Sequence, residues 1–232
     1  MGLIALLTSM VAGIVGFGGG MLLISVLPVF LSPALIIPIH ALVQLASNSS
    51  RMLFSLKHVR WQLVPRFLLG SVIGALMIGY GLSHISMEYV PAAIGLYILL
   101  NLWSPKFSAS VSRYESFYLI GFLQTGLGLV VGATGPLSLS VLTKQLESKD
   151  EIIATSALFM TISHLAKVPV YLSFTESMFS DLDLIVYMVL GAILGSFIGT
   201  KLRLSTKNGY IIKIIQALLT LLAVKMIGEV AL

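Results

Sequence analysis

The chain has 232 residues, of which 57% are hydrophobic and only 10% charged, with a formal charge of +5; its mean hydropathy is +1.02. That balance lies far outside the composition of a soluble domain and describes a polytopic membrane protein. No basic run is interleaved with aromatics, so the positive excess reads as a topology signal and not as nucleic-acid binding, and the lack of cysteine excludes disulfide scaffolds, thiolate metal sites and thiol catalysis.

Residues 2 to 31 are apolar throughout, too long for one span of about 20 residues and too short for two. The stretch from Gly16 to Gly20 (Gly-Phe-Gly-Gly-Gly) interrupts them near the middle. Glycine there forfeits helix stability that alanine would keep, which predicts a hairpin of two half-helices. The start, Met1 to Ile4, lacks the charged leader of a signal peptide, so this first segment is expected to be retained. Residues 35 to 56 are long enough to span, yet they carry Pro38, His40, Gln44, Asn48 and Arg51 and lead into a basic loop from Lys57 to Trp61. Residues 63 to 82 follow, with Gly70, Gly74 and Gly79 at near-helical spacing; packing alone explains this small-residue face. Residues 87 to 103 make the next span, ending at Asn101 and Trp103, and the Ser-rich residues 104 to 115 form the only linker. Then the pattern restarts. A second broken run covers 116 to 143 around Gly132, Ala133, Thr134, Gly135 and Pro136, followed by spans over 151 to 173, 184 to 200 and 209 to 228.

The restart is an internal repeat. At an offset of 116, Gly16 falls on Gly132, Gly19 on Gly135, Ser47 on Ser163, Asn48 on His164 and Arg51 on Lys167; after a five-residue insertion the offset is 121, placing Gly70 on Gly191 and Gly74 on Gly195. Charge then sets the orientation of the halves. If both broken runs simply crossed the membrane, the ten loop cations Lys57, Arg60, Arg66, Lys106, Arg113, Lys144, Lys149, Lys201, Arg203 and Lys207 would divide five against five. If each enters and leaves on one face, all ten are cytoplasmic and Glu88, Glu176, Asp181, Asp183 and Glu229 are opposite, as the positive-inside rule requires. The expected fold is therefore an all-α polytopic membrane protein of two inverted repeats, residues 1–103 and 116–232, joined by a cytoplasmic linker over 104–115. Each repeat holds a broken re-entrant hairpin and three transmembrane helices, the odd number of crossings that inversion demands.

A half-helix beginning inside a membrane points N–H groups and a partial positive charge at whatever faces it, and anions bind there. Gly18, Gly19 and Gly20 open the second half-helix of the first hairpin, and Gly135 and Pro136 open its counterpart, proline suiting a first turn. A tight turn or close packing would account for the same glycines. Arg51 and Lys167 set cations inside spans at a cost of ~2.5–3.5 kcal/mol on insertion scales, with no deep carboxylate to pair with either; both are also placed to snorkel to an interface. Asn48 and His164 precede these cations by one turn on the same face, as donors for an oxyanion or as glue between helices, and His164 is able to carry a proton near neutral pH. His40, Gln44, Ser47, Gln124, Thr155, Ser156 and Ser163 add donors with weaker claims. The expectation is an anion held between the two breaks by N–H groups at Gly19, Gly20 and Gly135 and by Asn48, His164 and Lys167, with Arg51 steering from nearer an interface.

These residues resemble the sulfite exporter TauE/SafE family of membrane permeases over nearly the whole chain. The marks are the glycine string from Gly16 to Gly20 with Pro28 after it, Ala154-Thr155-Ser156, Lys167 followed by Tyr171, the loop from His58 to Trp61, and the glycine-spaced helices from Gly70 and Gly191. Three positions depart from the pattern: Lys144 where a second proline is expected, Thr134 for a motif glycine, and Ile39-His40 where the second half has Thr155-Ser156. The resemblance implies a multi-pass permease of a prokaryotic plasma membrane, without a cofactor, that moves sulfite, a sulfonate or a related small sulfur-containing or organic anion. Coupling to H+ through His164 or bound substrate, and to Na+ through backbone carbonyls, both remain open. An anion channel is the alternative; an intramembrane enzyme is disfavoured, since no buried acid orients a base and no Gly-x-Ser-x-Gly or His-Glu-x-x-His pattern occurs.

Overall fold

The computed structural model describes residues 1–82, 86–113, 115–173, 179, 181–202 and 209–231; Glu176, Arg203 and Lys207 of the charge pattern lie outside them. The described residues form eleven α-helices and short 3-10 turns. In the first half these are α1 (Gly2–Val15), α2 (Gly19–Val26), α3 (Pro33–Phe54), α4 (Val64–Leu82) and α5 (Val90–Trp103). The linker is itself helical, α6 (Pro105–Arg113), and α7 (Phe117–Val131), α8 (Gly135–Gln145), α9 (Lys149–Leu172), α10 (Leu182–Leu202) and α11 (Gly209–Ala231) complete the chain.

Both glycine strings break a helix, and the backbone shows how. Gly16 takes a left-handed φ of 94° and donates its N–H to the Ala12 carbonyl at 2.9 Å, the glycine ending that stops α1. Gly18 is left-handed again, with φ 89°, and turns the chain into α2. α2 then packs back on α1 so closely that Gly19 has no room for a side chain against the Thr8 carbonyl and Ala12. In the second half α7 stops at Gly132, with φ 74° and an N–H bond of 2.9 Å to Gly128, and α8 starts at Gly135 with Pro136 in its first turn. Thr134 has φ −113°, so no glycine is needed there.

Among the described residues, three helices are long and apolar enough to cross a membrane: Trp61–Leu82, Lys149–Leu172 and Leu182–Leu202. Six crossings are expected from the sequence. α3 has the length, 22 residues, but is studded with buried polar groups, and α5 is short at 14 residues. The outward faces are apolar, with Leu69, Val72, Ile73, Leu76 and Tyr80 exposed on α4 and Tyr187, Leu190 and Leu194 on α10, while Asn48, Arg51, Gln124, His164 and Lys167 are buried. This inversion of the soluble pattern is what lipid as solvent demands.

Glycine faces dock the halves onto each other. α10 runs parallel along α1, with Gly191 against the Gly2 carbonyl and Gly195 against that of Leu6; α4 runs parallel along α7, with Gly70 against the Tyr118 carbonyl and Gly74 against that of Phe122. The two sets of contacts are related by the sequence offsets, 116 between Leu6 and Phe122 and 121 between Gly74 and Gly195. Between these pairs α3 and α9 cross antiparallel, since His40 meets His164 while Met52, further along α3, packs against the cluster that holds Ala154 and Leu158 near the start of α9.

Alanine at Gly70 or Gly195 must therefore push a helix off its partner's backbone. Each substitution is expected to destabilise the purified protein by about 1–3 kcal/mol, read as a lowered Tm in detergent. Alanine at Gly81 or Gly228, which would meet nothing within 4 Å, should be neutral or raise Tm through the better helix propensity of alanine.

Candidate anion site

The two breaks lie back to back at the crossing of α3 and α9, and a small cavity of about 30 Å3 sits between them. Its walls are the broken backbone itself, Gly18 and Gly20 from the first break and Gly135 and Pro136 from the second, together with one polar face of α3, Gln44, Asn48 and Arg51. Ser156 of α9 closes it. Residues 44, 48 and 51 share that face by helical spacing. The first turn of α2 adds N–H groups that no carbonyl of its own helix reaches and the positive end of its dipole.

The α3 side chains form a chain of donors. Arg51 Nη2 donates to Asn48 Oδ1. Asn48 Nδ2 donates to the Gln44 carbonyl at 2.7 Å and to Gln44 Oε1 at 3.3 Å. Gln44 Nε2 is then left buried without a hydrogen-bond partner, in a residue 2% exposed that lines the cavity. A buried amide donor of this kind costs about 1–3 kcal/mol if nothing meets it, so an acceptor in the cavity relieves a real penalty.

The second break is satisfied from within. Gln124 Oε1 accepts the N–H of Ser138 in the first turn of α8 at 3.0 Å, and Gln124 Nε2 donates to Ser163 Oγ at 3.2 Å. Thr134 Oγ1 donates to the Gln124 carbonyl at 2.7 Å, which gives the departure from a motif glycine a purpose. On the other flank of the break, Lys167 Nζ donates to the Gly132 carbonyl at 2.5 Å and the Tyr171 hydroxyl donates to the Leu129 carbonyl. These two side chains cap the negative end of α7.

The structure thus separates residues that the sequence treats as one set. Gly18, Gly20, Asn48, Arg51, Gly135 and Pro136 line the cavity. Gly19 is turned into α1, and neither Lys167 nor His164 is among the lining residues. Lys167 serves the α7 terminus, and Arg51, expected nearer an interface, is 4% exposed and faces the cavity. His164 is fully buried with both ring nitrogens lacking a hydrogen-bond partner, its ring 5.4 Å from that of His40. His40 Nε2 donates to the Gly20 carbonyl at 2.9 Å, so this departure from the family pattern also ties α3 to the first break. Gln44 is the residue whose importance sequence spacing understated; its position one turn before Asn48 is the signal that places it.

A family model described as sulfite exporter TauE/SafE matches residues 1–226. No curated protein and no solved structure matches the chain.

If Lys167 and Tyr171 cap α7, removing either donor leaves a buried carbonyl unmet. Lys167→Met and Tyr171→Phe are each expected to lower stability by about 1–3 kcal/mol, measured as the shift in thermal unfolding in detergent.

Proposed function

We propose, for a chain that belongs to the sulfite exporter TauE/SafE family of membrane permeases for sulfur-containing anions, that it is a secondary transporter whose small anion binds in the cavity between the two breaks. The observation that carries this reading is the pairing of the α2 N-terminus with buried Gln44, Asn48 and Arg51 around one cavity. Helix dipole, amide donors and a guanidinium all favour the same kind of guest, an oxyanion. Arg51 supplies the full charge, Gly20 and Gln44 the neutral donors, and the second break a rigid wall. Lys167 is assigned a positioning role, because it offsets the negative end of α7 beside the site.

Alternating access rests on two inverted repeats, residues 1–103 and 116–232, each with a re-entrant hairpin and three crossings, joined by the linker over 104–115. Support comes from α3 and α9, equivalent helices that run antiparallel, and from the matched α1/α10 and α4/α7 contacts. In this reading the termini are non-cytoplasmic, the loop cations cytoplasmic, and the membrane a prokaryotic plasma membrane.

Two measurements test it. Arg51→Gln should weaken sulfite binding to the purified protein by about 1.5–3 kcal/mol, the size of a charge-assisted hydrogen bond, or tenfold and more. Lys201→Gln, whose ammonium sits 4.4 Å over the Phe197 ring well away from the cavity, serves as the control and should change it little. Single cysteines at Lys57, Ser110 and Lys149 are expected to label together from the cytoplasmic side with Glu88→Cys opposite; any of the first three labelling with position 88 contradicts the inverted topology. Flux with and without pH and Na+ gradients identifies the coupling ion.

A further inference from the structure

The anion cavity does not stand alone. A larger chamber of about 280 Å3 adjoins it, and Phe17, Gly18, Met21 and Pro136 line both. The chamber extends from the break toward the ends of α5, α8 and α11 beside the linker helix. Its walls are mainly apolar: Phe17, Met21, Leu102, Phe107, Leu137 and Leu139. The polar groups it offers are neutral, Asn101, Ser140, Thr143 and Gln216, and no Lys, Arg, Asp or Glu is among the described residues that line it.

The two spaces differ in size and in chemistry. About 30 Å3 accommodates only two or three water-sized groups, which suits the oxygens of one oxyanion head and leaves no place for a substituent. The chamber next door has several times that room and no charge, so a carbon skeleton gains by leaving water there. A second anionic group would lose its hydration in the chamber without a cation to meet it.

We infer that the preferred substrate is a monoanion with an uncharged, largely apolar tail, a sulfonate or sulfinate of the alkyl or aryl type, its head in the cavity beside Arg51 and its tail in the chamber along Phe17, Met21 and Phe107. The inference rests on the transport site proposed above and names the substrate class of that site. It ranks tailed monoanions above sulfite, and above dianions such as sulfoacetate.

The experiment is equilibrium binding to the purified full chain of a panel: sulfite, methane-, butane-, hexane- and benzenesulfonate, and sulfoacetate. Affinity is expected to rise along the alkyl series by about fourfold per methylene until the chamber is filled, with benzenesulfonate among the tighter ligands and sulfoacetate weaker than butanesulfonate. The Gln216→Lys variant, which sets a cation in the chamber wall, should raise sulfoacetate binding by about tenfold relative to the unmodified chain. A flat alkyl series, or sulfoacetate binding as tightly as butanesulfonate in the unmodified chain, overturns the tail assignment while leaving the anion site standing. Absence of binding by every member of the panel removes the anion site itself, and the tail assignment with it. The alkyl series needs no variant, so a Gln216→Lys chain that fails to fold does not remove the test.

Discussion

A helix that stops in the middle of an apolar layer leaves carbonyls on one side of the gap and N–H groups on the other, and neither set has lipid or bulk water to turn to. The centre of this molecule is arranged around satisfying four such ends. At α7 the carbonyls are met by Lys167 and Tyr171, and at α8 an N–H is met by Gln124. The first break is handled differently. The start of α2 faces a cavity walled by Gln44, Asn48 and Arg51, and the side chain of Gln44 keeps a donor in reserve. In the proposed site one break is the fixed wall and the other the open half.

Electrostatics gives that asymmetry its consequence. Each helix end carries roughly half an elementary charge, and ends of both signs converge on the crossing of α3 and α9. Left alone they would largely cancel. Lys167 lies on the negative end of α7, and Arg51 stands beside the cavity that the end of α1 at Gly16 and the start of α2 also line. In the proposed site Lys167 acts without touching the anion, and the desolvation of both cations is offset by partners inside the protein, the Gly132 carbonyl for Lys167 and Asn48 for Arg51. The glycine faces complete the arrangement. By letting α10 lie on the backbone of α1 and α4 on that of α7, they fix each broken segment against a helix from the other half of the chain.

Much of this is legible in the residues. The breaks follow from glycine where alanine would serve a helix better, and both appear where Gly16 and Gly132 take left-handed backbone. The repeat offsets, read from glycines and cations alone, reappear as the contacts of Gly74 with Phe122 and Gly195 with Leu6. The equivalence of Arg51 and Lys167 is where the pattern misleads. Their positions correspond, yet one faces the cavity and the other a helix end, and the two breaks also differ at their matching point, Gly18 and Thr134. Gly18 turns through left-handed space and opens α2 to the cavity, whereas Thr134 keeps an ordinary backbone and bonds inward to Gln124. Periodicity records neither the turn geometry nor which way such side chains face. The linker helix and the polar tie from His40 to Gly20 were equally silent, since each depends on a neighbour distant in sequence.

The central claim is that an anion sits between the breaks against Arg51 and the start of α2. Selenite is close to sulfite in shape and charge, and its selenium scatters anomalously, so a crystal structure of the protein with saturating selenite locates the anion without assumption. The account predicts an anomalous peak enclosed by Gly18, Gly20, Gln44, Asn48 and Arg51. A peak at Lys167 in place of that position, or only at surface cations such as Lys57 and Lys201, would contradict it.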